Sequence, residues 1–130
     1  MKTTTTWIKK HEFKSQQGHN SIKLDGSKEK GFSPKALLLA GLAGCSGIDV
    51  VDILEKMRVE FADFTIDTEA EQTEEHPKVF KMVLITYRVK TAKENEEKVK
   101  KAIELSLEKY CGVSAMLKKN SPVRYELVLE

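Results

Sequence analysis

The stretch from Leu37 to Val51 constrains this chain more than any other. Its first half is apolar on every side, and a helix of that kind belongs in an interior. Ser33 and Pro34 open it cleanly. Serine caps the first turn, and proline fits the first helical position, where its missing N–H costs nothing. Beyond the apolar half, Val50, Val51 and Leu54 alternate with Asp52, Glu55 and Lys56, so the helix turns amphipathic and is predicted to run to about Met57. Gly41, Gly44 and Gly47 recur every three residues within it. Each costs roughly 1 kcal/mol relative to alanine, so close approach of a neighbour or open space for a small molecule is expected beside them. The apolar run is short for a membrane span and contains Asp49.

The rest of the pattern reads as strands and two further helices. Thr5–Phe13 and Ser21–Asp25 are expected as a hairpin turned by residues 17–20. Phe61–Gln72 alternates as a half-buried strand, and Val79–Val89 is richer in β-branched residues. Thr91 and Glu94 match a capping box at the head of a second helix. Val99, Ile103, Leu107 and Tyr110 mark the apolar stripe of that helix, and Gly112 breaks it. A short helix, Val113–Lys119, and a closing strand, Val123–Leu129, follow. One domain over 1–130 is expected, α+β in class, with antiparallel sheets and helices on one face. One sheet covers only one side of the apolar helix, which predicts a homodimer with an isologous two-fold interface.

Charge excludes some functions. The 22 Lys and Arg against 20 Asp and Glu are interspersed, with no basic block, so nucleic acid is not an expected partner. The N-terminus lacks the apolar segment of a signal peptide, and a cytoplasmic protein without a membrane partner is expected. His11, His19 and His76 show no ligand spacing, so neither metal nor cofactor is expected.

Chemistry points to Cys45 and Cys111, the only two cysteines. In a reducing compartment such a pair is redox-active more often than structural. A thiolate attacks a peroxide O–O bond and becomes a sulfenic acid, which a second thiol converts to a disulfide. Cys45 is mid-helix, where the helix dipole has faded. Cys111 lies beside a helix break, where backbone N–H groups favour a thiolate. Local electrostatics alone leaves the order of attack open.

The runs Ser33–Cys45 (SPKALLLAGLAGC), Ile48–Leu54 (IDVVDIL) and Glu108–Cys111 (EKYC) resemble the OsmC/Ohr superfamily of osmotically inducible and organic hydroperoxide resistance proteins, in its general OsmC-like branch. The resemblance covers essentially the whole chain. It implies an intertwined homodimer in which antiparallel sheets wrap central helices. It also implies thiol-dependent reduction of organic hydroperoxides, with Cys45 peroxidatic, Cys111 resolving, and a dithiol donor such as a lipoylated protein recycling the disulfide. The other function class compatible with the scaffold is a small-ligand-binding or redox-responsive dimer with little turnover. Active branches use an arginine from the N-terminal strands to stabilise the thiolate, oriented by a glutamate shortly after the helix proline. Here no arginine precedes Arg58, and Lys35 and Ala36 stand at the glutamate positions. His19 and Lys35 are the substitutes considered for thiolate stabilisation, with His11 beside His19 on the N-terminal hairpin. Lys35 lies about 15 Å from Cys45 along the helix axis. Arg58 is expected to be a surface residue at the helix end.

Overall fold

A computed structural model describes all 130 residues. The chain divides into two compact units, Met1–Leu39 and Ala40–Glu130. The helix expected from Ser33 and Pro34 runs across the division as α1 (Pro34–Lys56).

The first unit is a three-stranded antiparallel meander, β1 (Thr4–Lys9), β2 (Glu12–Gln17) and β3 (Asn20–Asp25). The stretch expected as one strand, Thr5–Phe13, is therefore two. It folds back at Lys10 and His11, with Lys10 at φ 46° and its carbonyl accepting the Trp7 indole N–H at 2.9 Å. No glycine, asparagine or proline marks that turn, so its sequence signal is weak. After β3, Asp25 gathers the loop. Its Oδ1 accepts the Ser27 amide and hydroxyl, and its Oδ2 accepts the Lys30 amide. These bonds hold the Asp25 carboxyl below the usual carboxylate range. Gly31 then passes so close to β3 that a Cβ would lie 2.5 Å from the Lys23 carbonyl oxygen.

In the second unit, β4 (Ala62–Gln72), β5 (Phe80–Lys90) and β6 (Val123–Leu129) form a sheet with β5 central. The α+β expectation holds, but the sheet is mixed: β4 pairs antiparallel with β5, and β6 runs parallel to it. Two helices, α2 (Glu96–Leu105) and α3 (Gly112–Lys118), fill the connection from β5 to β6. A crossover of that length returns the chain to the start of the sheet, and the next strand runs the same way. Val83, Ile85, Tyr87 and Val89 alternate along β5 and are buried on one face.

Helix α1 presents a line to this core, Leu42, Ser46, Val50 and Leu54, four residues apart and all fully buried. Burying each aliphatic side chain in that line stabilises the fold by about 1.5–3 kcal/mol. The rest of α1 is less enclosed than its composition predicts, with Leu38 and Ile48 exposed. Taken at its full 23 residues, α1 is long and apolar enough to cross a membrane by length and composition. It stops in a left-handed cap: Arg58 sits at φ 57°, its amide bonds Glu55 O, and the Val59 amide bonds Leu54 O. Arg58 is an exposed helix-end residue, as expected.

Two local expectations fail for identifiable reasons. The Thr91–Glu94 capping box does not form. The Thr91 hydroxyl donates instead to Glu60 O at 2.7 Å, and a 3₁₀ turn, Lys93–Asn95, precedes α2. Tyr110 leaves the apolar stripe and is 55 % exposed. Residues Ser106–Tyr110 form a π turn, closed by Cys111 N–H donating to Ser106 O at 2.7 Å. The wider turn carries Cys111, rather than Tyr110, into line below Val99, Ile103 and Leu107.

Candidate functional site

The π turn gives Cys111 its setting. Its backbone is extended (φ −77°, ψ 103°) and it caps the start of α3, its Sγ accepting the Ser114 amide at 3.3 Å. Lys118 Nζ and the Ser114 hydroxyl both donate to Leu107 O, which the π turn leaves without a regular helical partner. Cys111 is buried, 3 % exposed, whereas Cys45 on α1 is half-buried. Both thiols are free, and Cys45 is among the groups that act on the Cys111 sulfur. The two residues, 66 apart in sequence, both belong to the second unit.

Opposing influences act on the Cys111 sulfur. Burial raises its pKa most, the Ser114 amide lowers it, and Cys45 and Asp49 raise it again; the net result is a thiol pushed up to about 11. The helix-start effect expected from the sequence is present and is outweighed by desolvation.

Beside the thiols runs a chain of buried hydroxyls. Tyr87 OH lies 2.6 Å from Ser46 Oγ, Ser46 Oγ lies 2.9 Å from Ser106 Oγ, and Ser106 Oγ lies 3.0 Å from Asp49 Oδ2. Ser46, Tyr87 and Ser106 are fully buried. Burial pushes the Tyr87 phenol up to about 12. Sequence reasoning singled out none of these four for the site. Cys45 and Asp49 stand four residues apart on one helix face, a spacing the sequence displays. Ser106 lies 57 residues from Asp49, and Tyr87 lies 41 from Ser46. No local signal joins them.

The other residues considered belong to the first unit. His19 is exposed in the β2–β3 turn of the first unit. Lys35 is half-buried in the first turn of α1.

The glycine row proves mixed. A Cβ at Gly47 would come 3.1 Å from Ile66 Cδ1, while Gly41 and Gly44 face open space. Gly44 and Gly47 form part of the floor of an open groove of about 520 Å³, walled by Ile48, Val51, Phe64 and Ile66. Cys45 does not line it.

Fold and sequence both lead to one family. The family described as OsmC-like protein matches residues 26–126. Protein YhfA of Escherichia coli K12 is 34 % identical over 132 residues, covering 98 % of each chain. The crystal structure of a hypothetical protein from Aquifex aeolicus VF5 superposes with a TM-score of 0.84 at 31 % identity, over 99 % of this chain and 96 % of that one. The organic hydroperoxide resistance protein OhrB of Bacillus subtilis shares the fold at a TM-score of 0.67 and 20 % identity, over 97 % and 96 % of the two chains. The chain belongs to the OsmC-like family.

Proposed function

We propose that the protein is a thiol-dependent reductase of organic hydroperoxides working by a two-cysteine cycle. The observation that carries this reading is a pair of free thiols in one unit, Cys45 half-buried and acting on the buried Cys111 sulfur. Cys45 is the more exposed sulfur, and Cys111 keeps its proton. Cys45 therefore attacks as the thiolate. Its sulfur bonds to the terminal peroxide oxygen, the O–O bond breaks, and the alkoxide leaves and is protonated to the alcohol. Cys111 displaces water from the Cys45 sulfenic acid and forms a disulfide, which limits further oxidation. An external dithiol then reduces that disulfide and is itself oxidised. Within the family, a protein named for organic hydroperoxide resistance carries the same fold.

The reading includes a homodimer in the cytoplasm and a dithiol donor, for which a lipoylated protein is the class to test. Support for the dimer comes from α1, whose Leu38 and Ile48 are exposed while only the Leu42–Leu54 line is fully covered. A second reading, a ligand-binding or redox-responsive dimer with little turnover, is favoured by one observation: no arginine precedes Arg58 to activate a thiolate.

Stoichiometric cumene hydroperoxide separates these readings. The expected result is a two-hydrogen mass loss joining the Cys45 and Cys111 peptides, with continued peroxide consumption once a dithiol is added. Disulfide without sustained consumption favours the redox-responsive reading. No disulfide and no consumption overturns both thiol roles.

A further inference from the structure

The buried hydroxyls meet the Asp49 carboxylate at Ser106. A carboxylate only accepts hydrogen bonds, and each hydroxyl has one proton to donate. Tyr87, with its pKa raised to about 12, keeps its proton. The Tyr87 hydroxyl lies 2.6 Å from Ser46 Oγ, and the Ser106 hydroxyl is placed to donate to Ser46 Oγ at 2.9 Å or to Asp49 Oδ2 at 3.0 Å. The Ser106 hydroxyl reaches one oxygen of Asp49, Oδ2, and leaves Oδ1 outside that contact. Asp49 is also one helical turn beyond Cys45 on the same face of α1. Ser106 ties it to the other thiol, since its hydroxyl bonds Asp49 and its carbonyl accepts the Cys111 amide at 2.7 Å.

We propose, resting on the two-cysteine reading above, that Asp49 is the proton carrier of the resolving step, held in place by the Ser106 hydroxyl. As the Cys111 sulfur attacks the Cys45 sulfenic acid, the Cys111 S–H bond breaks and its proton passes to Asp49 Oδ1, directly or through one water. The S–S bond forms and the Cys45 S–O bond breaks. The departing hydroxide takes the proton from Asp49, so water leaves and the carboxylate is restored. Such a carrier meets a specific need, because a thiol pushed up to about 11 is almost wholly protonated at neutral pH. The groups acting on the Cys111 sulfur are Cys45 and Asp49 from α1 and the Ser114 amide of its own helix start. Tyr87 of β5 also interacts with it, while Lys118 of α3 places its ammonium on Leu107 O.

The test exploits a conflict of sign. As a mere negative neighbour, Asp49 hinders Cys111 ionisation, and Asp49→Asn would speed attack by Cys111. As a proton acceptor it helps, and the same change slows attack. One equivalent of dithiobis-nitrobenzoate places a mixed disulfide on Cys45, and release of the remaining thionitrobenzoate reports displacement by Cys111. At neutral pH, release from Asp49→Asn is expected to be slower by about 10²-fold. Ser106→Ala, which keeps the carboxylate but frees it, is expected to lie between that variant and wild type. Near pH 11, where Cys111 ionises unaided, the three rates converge, which a misfolded variant would not do. Release from Asp49→Asn as fast as wild type, or faster, overturns the proposal. Because the probe involves no hydroperoxide, a wild type that fails to reduce peroxide removes the proposed reductase activity while leaving this result readable.

Discussion

Cys45 and Cys111 are the same side chain in two unlike helical settings. Cys45 stands in the middle of an unbroken helix, where every nearby amide serves the helix's own ladder and none is free for the sulfur. Cys111 stands at a break: a π turn ends there, a new helix begins, and the Ser114 amide points at the thiol. A comparison of backbone donors alone would make Cys111 the more acidic and therefore the attacking sulfur. Burial reverses that outcome, since desolvation outweighs one amide hydrogen bond and the Cys111 thiol rises to about 11. Position along a helix thus sets what a cysteine is offered, and depth sets what it can use.

The largest effect that tests this division is loss of one sulfur at a time. On the proposed reading, Cys45→Ser abolishes hydroperoxide consumption. Cys111→Ser still allows one equivalent to react and then stalls as a sulfenic acid, trapped by dimedone and read by mass spectrometry. Should Cys111→Ser abolish the first equivalent while Cys45→Ser retains it, the roles are reversed and exposure is the wrong guide to attack.

Alkylation sharpens the same contrast. With a pKa near 11, Cys111 is ionised in only ~10⁻⁴ of molecules at neutral pH, so its modification by iodoacetamide should be slow and should climb through the whole alkaline range. The sign for stability follows. Because folding raises the Cys111 pKa from 9.0, the folded state holds that proton more tightly than the unfolded chain. The resulting stability is fully present below pH 9 and is lost progressively as pH rises toward 11. Tyr87, raised from 10.0 to about 12, extends the loss upward. Urea midpoints measured from pH 8 to strongly alkaline solution check this, and a flat profile in the Cys111→Ser, Tyr87→Phe double variant would assign it to those two groups.

The contrast between the sulfurs was only partly legible in the sequence. Helix α1 was readable from end to end, because Ser33 and Pro34 mark its start and its apolar run exceeds any strand. The Lys10–His11 turn was not, since neither residue advertises a reversal. The stripe Val99, Ile103, Leu107 was readable, but its continuation to Tyr110 assumed an α-helical period that the π turn replaces. That one-residue change of phase buries Cys111 and exposes Tyr110. The direction of β6 also lay outside local patterning, because the turn residues before a strand do not say which edge of the sheet it joins. The Cys45–Cys111 partnership was suggested by family resemblance, whereas the Ser46–Ser106–Asp49–Tyr87 chain required α1, the π turn and β5 to be assembled first.

The smallest effect tests the two settings with a single substitution. At Cys45, alanine replaces a weaker helix former in mid-helix, which favours folding by up to ~0.7 kcal/mol before the lost thiol contact is counted. At Cys111, alanine removes the atom that accepts the Ser114 amide, and losing a cap of this kind costs about 0.5–2 kcal/mol. Cys111→Ser supplies a hydroxyl oxygen to the same amide and should recover most of that loss. The expected order of urea midpoints at neutral pH is Cys111→Ser above Cys111→Ala, with Cys45→Ala near wild type. Equal midpoints for the two Cys111 variants would mean that the sulfur fills space at the helix start without holding it, and the extended backbone at Cys111 would then be set by the π turn alone.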